Sequence, residues 1–235
     1  MQKPYFDMPM DFIARGVELC WKNATALIAE AKLLQEHRFY ARALSLSILA
    51  LEELGKLMTL DGLAFSVVNN EISNDRKKLF NECLRSHSTK LRILDGYPLF
   101  LSYIATLDPG YKTDEKFGLT MAIVVERYRK DRMELAKWLG EDCDLKKLNE
   151  LKKKGFYVGR ENGSLVSPLD VDQALVKGIC RLACDMVDGI DFVLKHNLER
   201  YKDFVSSVRN KLTKEQLAEV RRLGQEVADK IFGSD

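Results

Sequence analysis

Two carboxylates and a lysine interrupt the most apolar stretch of this chain. In Ala43–Leu57, ALSLSILALEELGKL, Glu52 and Lys56 stand four apart. That order favours an ion pair on a helix face. Glu53 lies a further ~100° around the axis and needs another partner. An uncompensated buried charge is expensive. The three groups therefore mark either a solvated turn where the helix leaves the core, or a polar network that is structural or functional. Gly55 in their midst costs a helix roughly 1 kcal/mol against alanine, which close approach of another element would repay.

A second constellation is Arg85-x-His87-x-x-Lys90. His87 and Lys90 share a helix face, and the pair could supply general acid–base chemistry and a cation for a developing oxyanion. The plainer reading is an amphipathic helix with surface charges. A third is basic: Lys146, Lys147, Lys152, Lys153 and Lys154, then Tyr157 and Arg160, preceded by Arg127, Arg129, Lys130 and Arg132. Basic residues interleaved with an aromatic can track a phosphate backbone and stack a base. Glu126, Asp131, Glu134 and Glu141–Asp144 offset much of that charge, which favours a solvated face. His37 and His196 fall at helix ends and carry no assigned chemistry.

Cysteines 20, 83, 143, 180 and 184 contain no CxxC pair, and are expected as reduced, packed thiols. Cys180 and Cys184 lie one helical turn apart. P-loop, GxGxxG, HExxH, GxSxG and the Glu-x-x-His of di-iron bundles are all missing, so neither metal nor cofactor is expected.

The elements that must position these groups read as helices. Apolar residues recur at three-to-four spacing from Asp11 to His37 and again from Phe39 to Val68. Ser73-Asn74-Asp75 starts a third helix through Leu91 and beyond, which Gly96-Tyr97-Pro98 should break or kink. After the turn Asp108-Pro109-Gly110 comes Glu115–Leu139, capped by Gly140. Leu145–Lys154 is short and ends at Gly155. Phe156–Val158 and Ser164–Val166 flank Asn162-Gly163 and predict one small β-hairpin near residues 156–166. Ser167, Pro168 and Asp170 open a helix reaching Val208, and Thr213-x-x-Gln216 opens a last one ending before Gly233. The expected fold is all-α, an antiparallel helical bundle with that hairpin inserted at about 155–167 and C-terminal helices over 168–232, in one domain spanning 1–235.

Composition agrees: 46% hydrophobic and 31% charged residues suit a well-buried globule. A net charge of +2 names no partner, so nucleic acid would need a local patch. The start MQKPYFDMPMDF lacks the apolar segment of a secretory signal, and no run approaches the ~20 residues of a membrane helix. A cytoplasmic location without membrane contact is expected.

Asn23-Ala24-x-x-Leu27 with Ala31, then Phe39–Leu46 (FYARALSL), then Ala50–Lys56 (ALEELGK), resembles the AbiV family of HEPN-like helical proteins. So do His87-x-x-Lys90-Leu91 and Leu151-Lys152-x-x-Gly155-Phe156-Tyr157-Val158, with Asn162-Gly163 and Ser167-Pro168 behind them. Together they cover most of residues 20–185. The resemblance implies a HEPN-like bundle and a role in abortive infection, in which an infected cell halts translation or RNA metabolism before phage matures. It implies a homodimer, and as further partners a phage-encoded activator and RNA or the translation machinery.

Many HEPN proteins are ribonucleases with an arginine four to six residues before a histidine. None of His37, His87 or His196 has one at that distance. Metal-independent RNA cleavage would need another constellation, and Glu53, Lys56, His87 and Lys90 are the candidates if their helices are neighbours. Arg42, Lys152, Lys153, Lys154, Tyr157 and Arg160 are the candidates for contacting RNA or a partner. Non-catalytic binding to RNA or translation components, with the polar cluster fixing the fold, stays open. So does a non-toxic helical interaction or ligand-sensing module.

Overall fold

A computed structural model describes residues 10–68, 74–101, 115–141, 143–157, 159–161 and 164–211. Helices dominate: α1 Met10–Glu36, α2 Tyr40–Val68, α3 Asn74–Arg85, α4 His87–Ile93, α5 Glu115–Leu139, α6 Leu148–Phe156 and α7 Gln173–Lys211. Two three-residue strands, β1 Gly159–Glu161 and β2 Ser164–Val166, pair with Arg160 opposite Leu165. The Asn162-Gly163 turn, the Asp108–Gly110 turn and the Thr213 capping box lie outside the described residues.

α2 is the axis around which the rest assembles. Leu44, Ile48, Leu51, Leu54, Leu57 and Leu63 are fully buried, and α1, α3, α4, α6 and α7 all pack on this helix. Its residues are apolar almost all round, the pattern of a helix enclosed by others. α1 reaches it through a three-residue connection in which Arg38 adopts positive φ. Cys20, Cys83, Cys143 and Cys180 are buried small side chains, and the Cys180 sulfur sits 2.9 Å from the Ser47 hydroxyl. No helix among the described residues is long and apolar enough to cross a membrane.

Several boundaries differ from the sequence reading. The first strand is Gly159–Glu161 where Phe156–Val158 was expected, because α6 runs on through Phe156. The third helix does not run on through Leu91. Ser86 interrupts it in extended conformation, its hydroxyl accepting the Thr89 amide as N-cap of α4. The break or kink expected at Gly96–Pro98 takes the form of a 3₁₀ turn over Leu94–Gly96, after which 97–101 is helical again. Ser167 caps only the 3₁₀ turn Pro168–Asp170, whereas Asp172 caps α7 by accepting the Ala174 and Leu175 amides.

Gly155 was expected to end its helix. It lies inside α6, where a Cβ would stand 2.2 Å from the Ser45 hydroxyl and 2.6 Å from the Ala41 carbonyl. Its missing side chain lets α6 touch α2.

Candidate functional site

The close approaches that build the cluster are made by glycines. A Cβ on Gly55 would fall 2.1 Å from the Lys90 carbonyl oxygen, so α4 crosses α2 in backbone contact, one turn from Glu52. Gly155 does the same for α6. The Ser45 hydroxyl seals that contact by donating to the Lys152 carbonyl at 3.1 Å. Glu52 from α2, His87 from the first turn of α4 and Lys152 from α6 thereby converge.

Glu52 is 4% exposed and both its oxygens are engaged. Oε2 lies 2.7 Å from His87 Nδ1, and Oε1 accepts from the Lys152 ammonium. The ammonium is also 3.3 Å from Nδ1, but both nitrogens donate to the carboxylate that bridges them. Because a carboxylate only accepts, Nδ1 carries the ring proton, and in the neutral imidazole the lone pair is on Nε2. The side chain of His87 is 55% exposed, whereas that of Lys152 is 12% exposed. A buried carboxylate thus orients a solvent-accessible imidazole, the geometry of a general acid–base pair.

The expected Glu52–Lys56 ion pair does not form. Lys56 pairs with Glu53 at 3.8 Å, three residues away, because Glu52 turns inward to His87 and Lys152. Burial pushes the pKa of the neighbouring Cys20 thiol up to about 12, and the negative charge of Glu53 adds to the rise. Lys90 stands near all of them, and burial is the first cause that lowers its pKa, with Lys56 and Lys152 adding repulsion against the attraction of Glu52 and Glu53. It makes no ion pair among the described residues. Lys56, Lys90, Lys152 and His87 therefore surround two carboxylates, leaving net positive charge beside the imidazole.

Of the four residues first singled out for catalysis, Lys90 and His87 share α4, and Glu53 and Lys56 share the adjacent turn of α2. Glu52, noted only as a partner for Lys56, is the carboxylate that holds His87. Lys152, noted as a phosphate contact, enters the cluster. The signal was present: a Glu inside ALEELGK must be compensated if buried, though nothing in the spacing says by which residue.

The other proposed contacts scatter. Arg42 and Tyr157 are exposed, and Lys153 is exposed and bonded to Glu150 at 2.8 Å. Lys154 is half-buried, and the side chain of Arg160 lies outside the described residues. Arg132 is no surface cation: it binds Asp95, the Tyr128 hydroxyl at 3.0 Å and the Cys143 carbonyl at 2.7 Å. Among the described residues, no three His, Cys, Asp or Glu side chains are grouped to hold a metal ion.

A family model described as AbiV, of HEPN type, matches residues 12–187, which include every residue of the cluster. No curated protein and no solved structure matches the chain.

Proposed function

The chain belongs to the AbiV family of HEPN-type proteins, whose functions relate to abortive infection, and on that premise we propose that it is a phage-defence effector that shuts down translation by attacking RNA at His87. The observation that carries the reading is the buried Glu52 carboxylate on His87 Nδ1, with the ring itself half-exposed. Nε2 would take the proton of a ribose 2′-hydroxyl as the oxygen attacks the adjacent phosphorus. The P–O5′ bond would break to leave a 2′,3′-cyclic phosphate, a water would protonate the departing 5′-oxygen, and Lys90 and Lys56 would stabilise charge on the phosphorane. Glu52 and Lys152 act as positioning residues. Glu53 balances Lys56, and Arg42, Lys153, Lys154, Tyr157 and Arg160 would guide the RNA. The reaction needs neither metal nor cofactor. The whole chain, residues 1–235, is read as one functional unit working in the cytoplasm, where its target is.

A homodimer fits this reading. Phe12, Leu19 and Leu33 lie at seven- and fourteen-residue spacings along α1, each at least half exposed, and a second copy would bury that stripe. A phage product would act as activator of the assembled effector.

A second reading is favoured by the nearly buried Lys152 and the fully engaged Glu52, which resemble a structural network, and by the missing arginine–histidine spacing. The protein would then bind RNA or a translation component without cleaving it. Phage plating on bacteria producing wild-type protein or His87→Ala separates the two. Catalysis predicts that protection disappears in the variant, and non-catalytic binding predicts that protection survives. If wild-type protein neither protects nor arrests growth, the chain is a non-toxic interaction or sensing module.

A further inference from the structure

Among the described residues, α5 leaves an amphipathic face uncovered on the side of the bundle that contributes nothing to the Glu52 cluster. Leu119, Ile123, Lys130, Met133 and Lys137 recur at helical spacing on one stripe. Leu119 is 64% exposed, Ile123 45% and Met133 78%. Along the edge facing α7 the stripe opens into a cleft of about 540 Å³, floored by Leu135 and walled by Met133 and Trp138. The wall is rigid. The Trp138 indole donates to Asp172, the N-cap of α7, at 3.1 Å, and the Lys137 ammonium covers its ring at 3.8 Å.

Charge says what this surface fits. Lys130 and Lys137 on α5 and Lys177 on α7 are exposed and form no ion pair among the described residues. Glu134 is spent on Arg181, which Asp131 also holds, at 2.5 Å. Asp172 is spent on the helix cap. Glu126 opposes the lysines on the same face, and a surplus of positive charge remains. An RNA backbone would use the lysines but not the three apolar side chains on the same stripe. From Leu119 to Trp138 the stripe is ~28 Å long at 1.5 Å per residue, the span of a docked helix and not of a loop tip.

We infer that the α5–α7 face is the docking surface for an acidic amphipathic helix of a partner protein, which seats an apolar side chain in the cleft and sets its carboxylates against Lys130, Lys137 and Lys177. Apolar anchors at three-to-four spacing give such a contact its affinity, and the lysine rim selects against basic segments. The assignment is independent of whether His87 is catalytic.

The test places the photocrosslinking amino acid p-benzoylphenylalanine at the exposed position 133 of the full chain. Bacteria producing it, infected and uninfected, are irradiated, and the adduct is mapped by mass spectrometry. The expected result is an adduct to a segment of net negative charge with apolar residues at helical spacing. Its yield should fall at least tenfold in the Lys130→Glu/Lys177→Glu background, with the thermal midpoint unchanged. An adduct to this same chain, to RNA, or to a basic or uncharged segment overturns the inference. So does an adduct insensitive to the charge reversal, or none in either condition.

Discussion

Glu52 bonds a lysine with one oxygen and a histidine with the other, and the cost of disturbing it differs by partner. His87 is half in solvent, so His87→Ala removes one hydrogen bond and opens no cavity. Its thermal midpoint should stay within a few degrees of wild type. Glu52→Ala instead leaves the Lys152 ammonium nearly buried without a counter-charge, a loss on the order of 3–5 kcal/mol when one member of a buried pair is removed. Urea unfolding of the two variants checks the asymmetry: equal losses would mean that Lys152 does not depend on Glu52. At this scale the sequence was half legible. A carboxylate within an apolar helix announces a network, but which acid turns inward depends on backbone contact at Gly55. Glu53 and Lys56 therefore looked as good as Glu52, and Lys152, 100 positions away, looked like a surface cation.

Helix contacts set by single glycines fix the element scale. Gly55→Ala should gain the roughly 1 kcal/mol of helix propensity and still destabilise, because the added carbon would stand 2.1 Å from the Lys90 carbonyl, a backbone atom that cannot swing aside. Gly118, with nothing within 4 Å, is the matched control and should be stabilised by the same change. A rise in the midpoint of Gly55→Ala would contradict the crossing of α2 and α4.

A second element-scale prediction concerns the α5–α7 contact. Asp131 Oδ2 is buried without an ordinary donor. The Asp185 pKa is pushed up to about 6, first by burial and then by the neighbouring Asp131 carboxylate, against the pull of Arg127, which points to a proton shared between the two carboxyls. The folded state thus holds a proton that the unfolded chain releases near pH 4. This contribution to stability is complete below about pH 4 and is lost as pH rises through 6. In Asp185→Asn the midpoint should change less between pH 4 and 6 than in wild type. Parallel curves would remove the shared proton. The helix elements themselves were legible from apolar period. The stop at Ser86 was not, because the apolar pattern runs through it. Gly155 was misread as a terminator because spacing cannot tell a cap from a close contact.

At the scale of the whole molecule, exposed apolar side chains line up on two helices, α1 and α5. The account assigns the α1 stripe to a second copy and the α5–α7 face to an acidic partner. Sedimentation of the full chain should therefore give twice the chain mass, and Leu19→Glu/Leu33→Glu should give the monomer with its helical content intact. A wild-type monomer at micromolar concentration would remove the dimer. All-α class and family were readable from sequence, since ALEELGK and the residue 151–158 motif carry them. Assembly was not, because exposure is a property of the folded surface.

The central claim is that His87, held by Glu52, acts on RNA when the cell is infected. RNA integrity in phage-infected bacteria producing wild-type protein or His87→Ala tests it most directly. Discrete tRNA or rRNA fragments are expected with wild type and none with the variant. Intact RNA in cells that are nonetheless protected would contradict it and leave the Glu52 cluster a structural clasp.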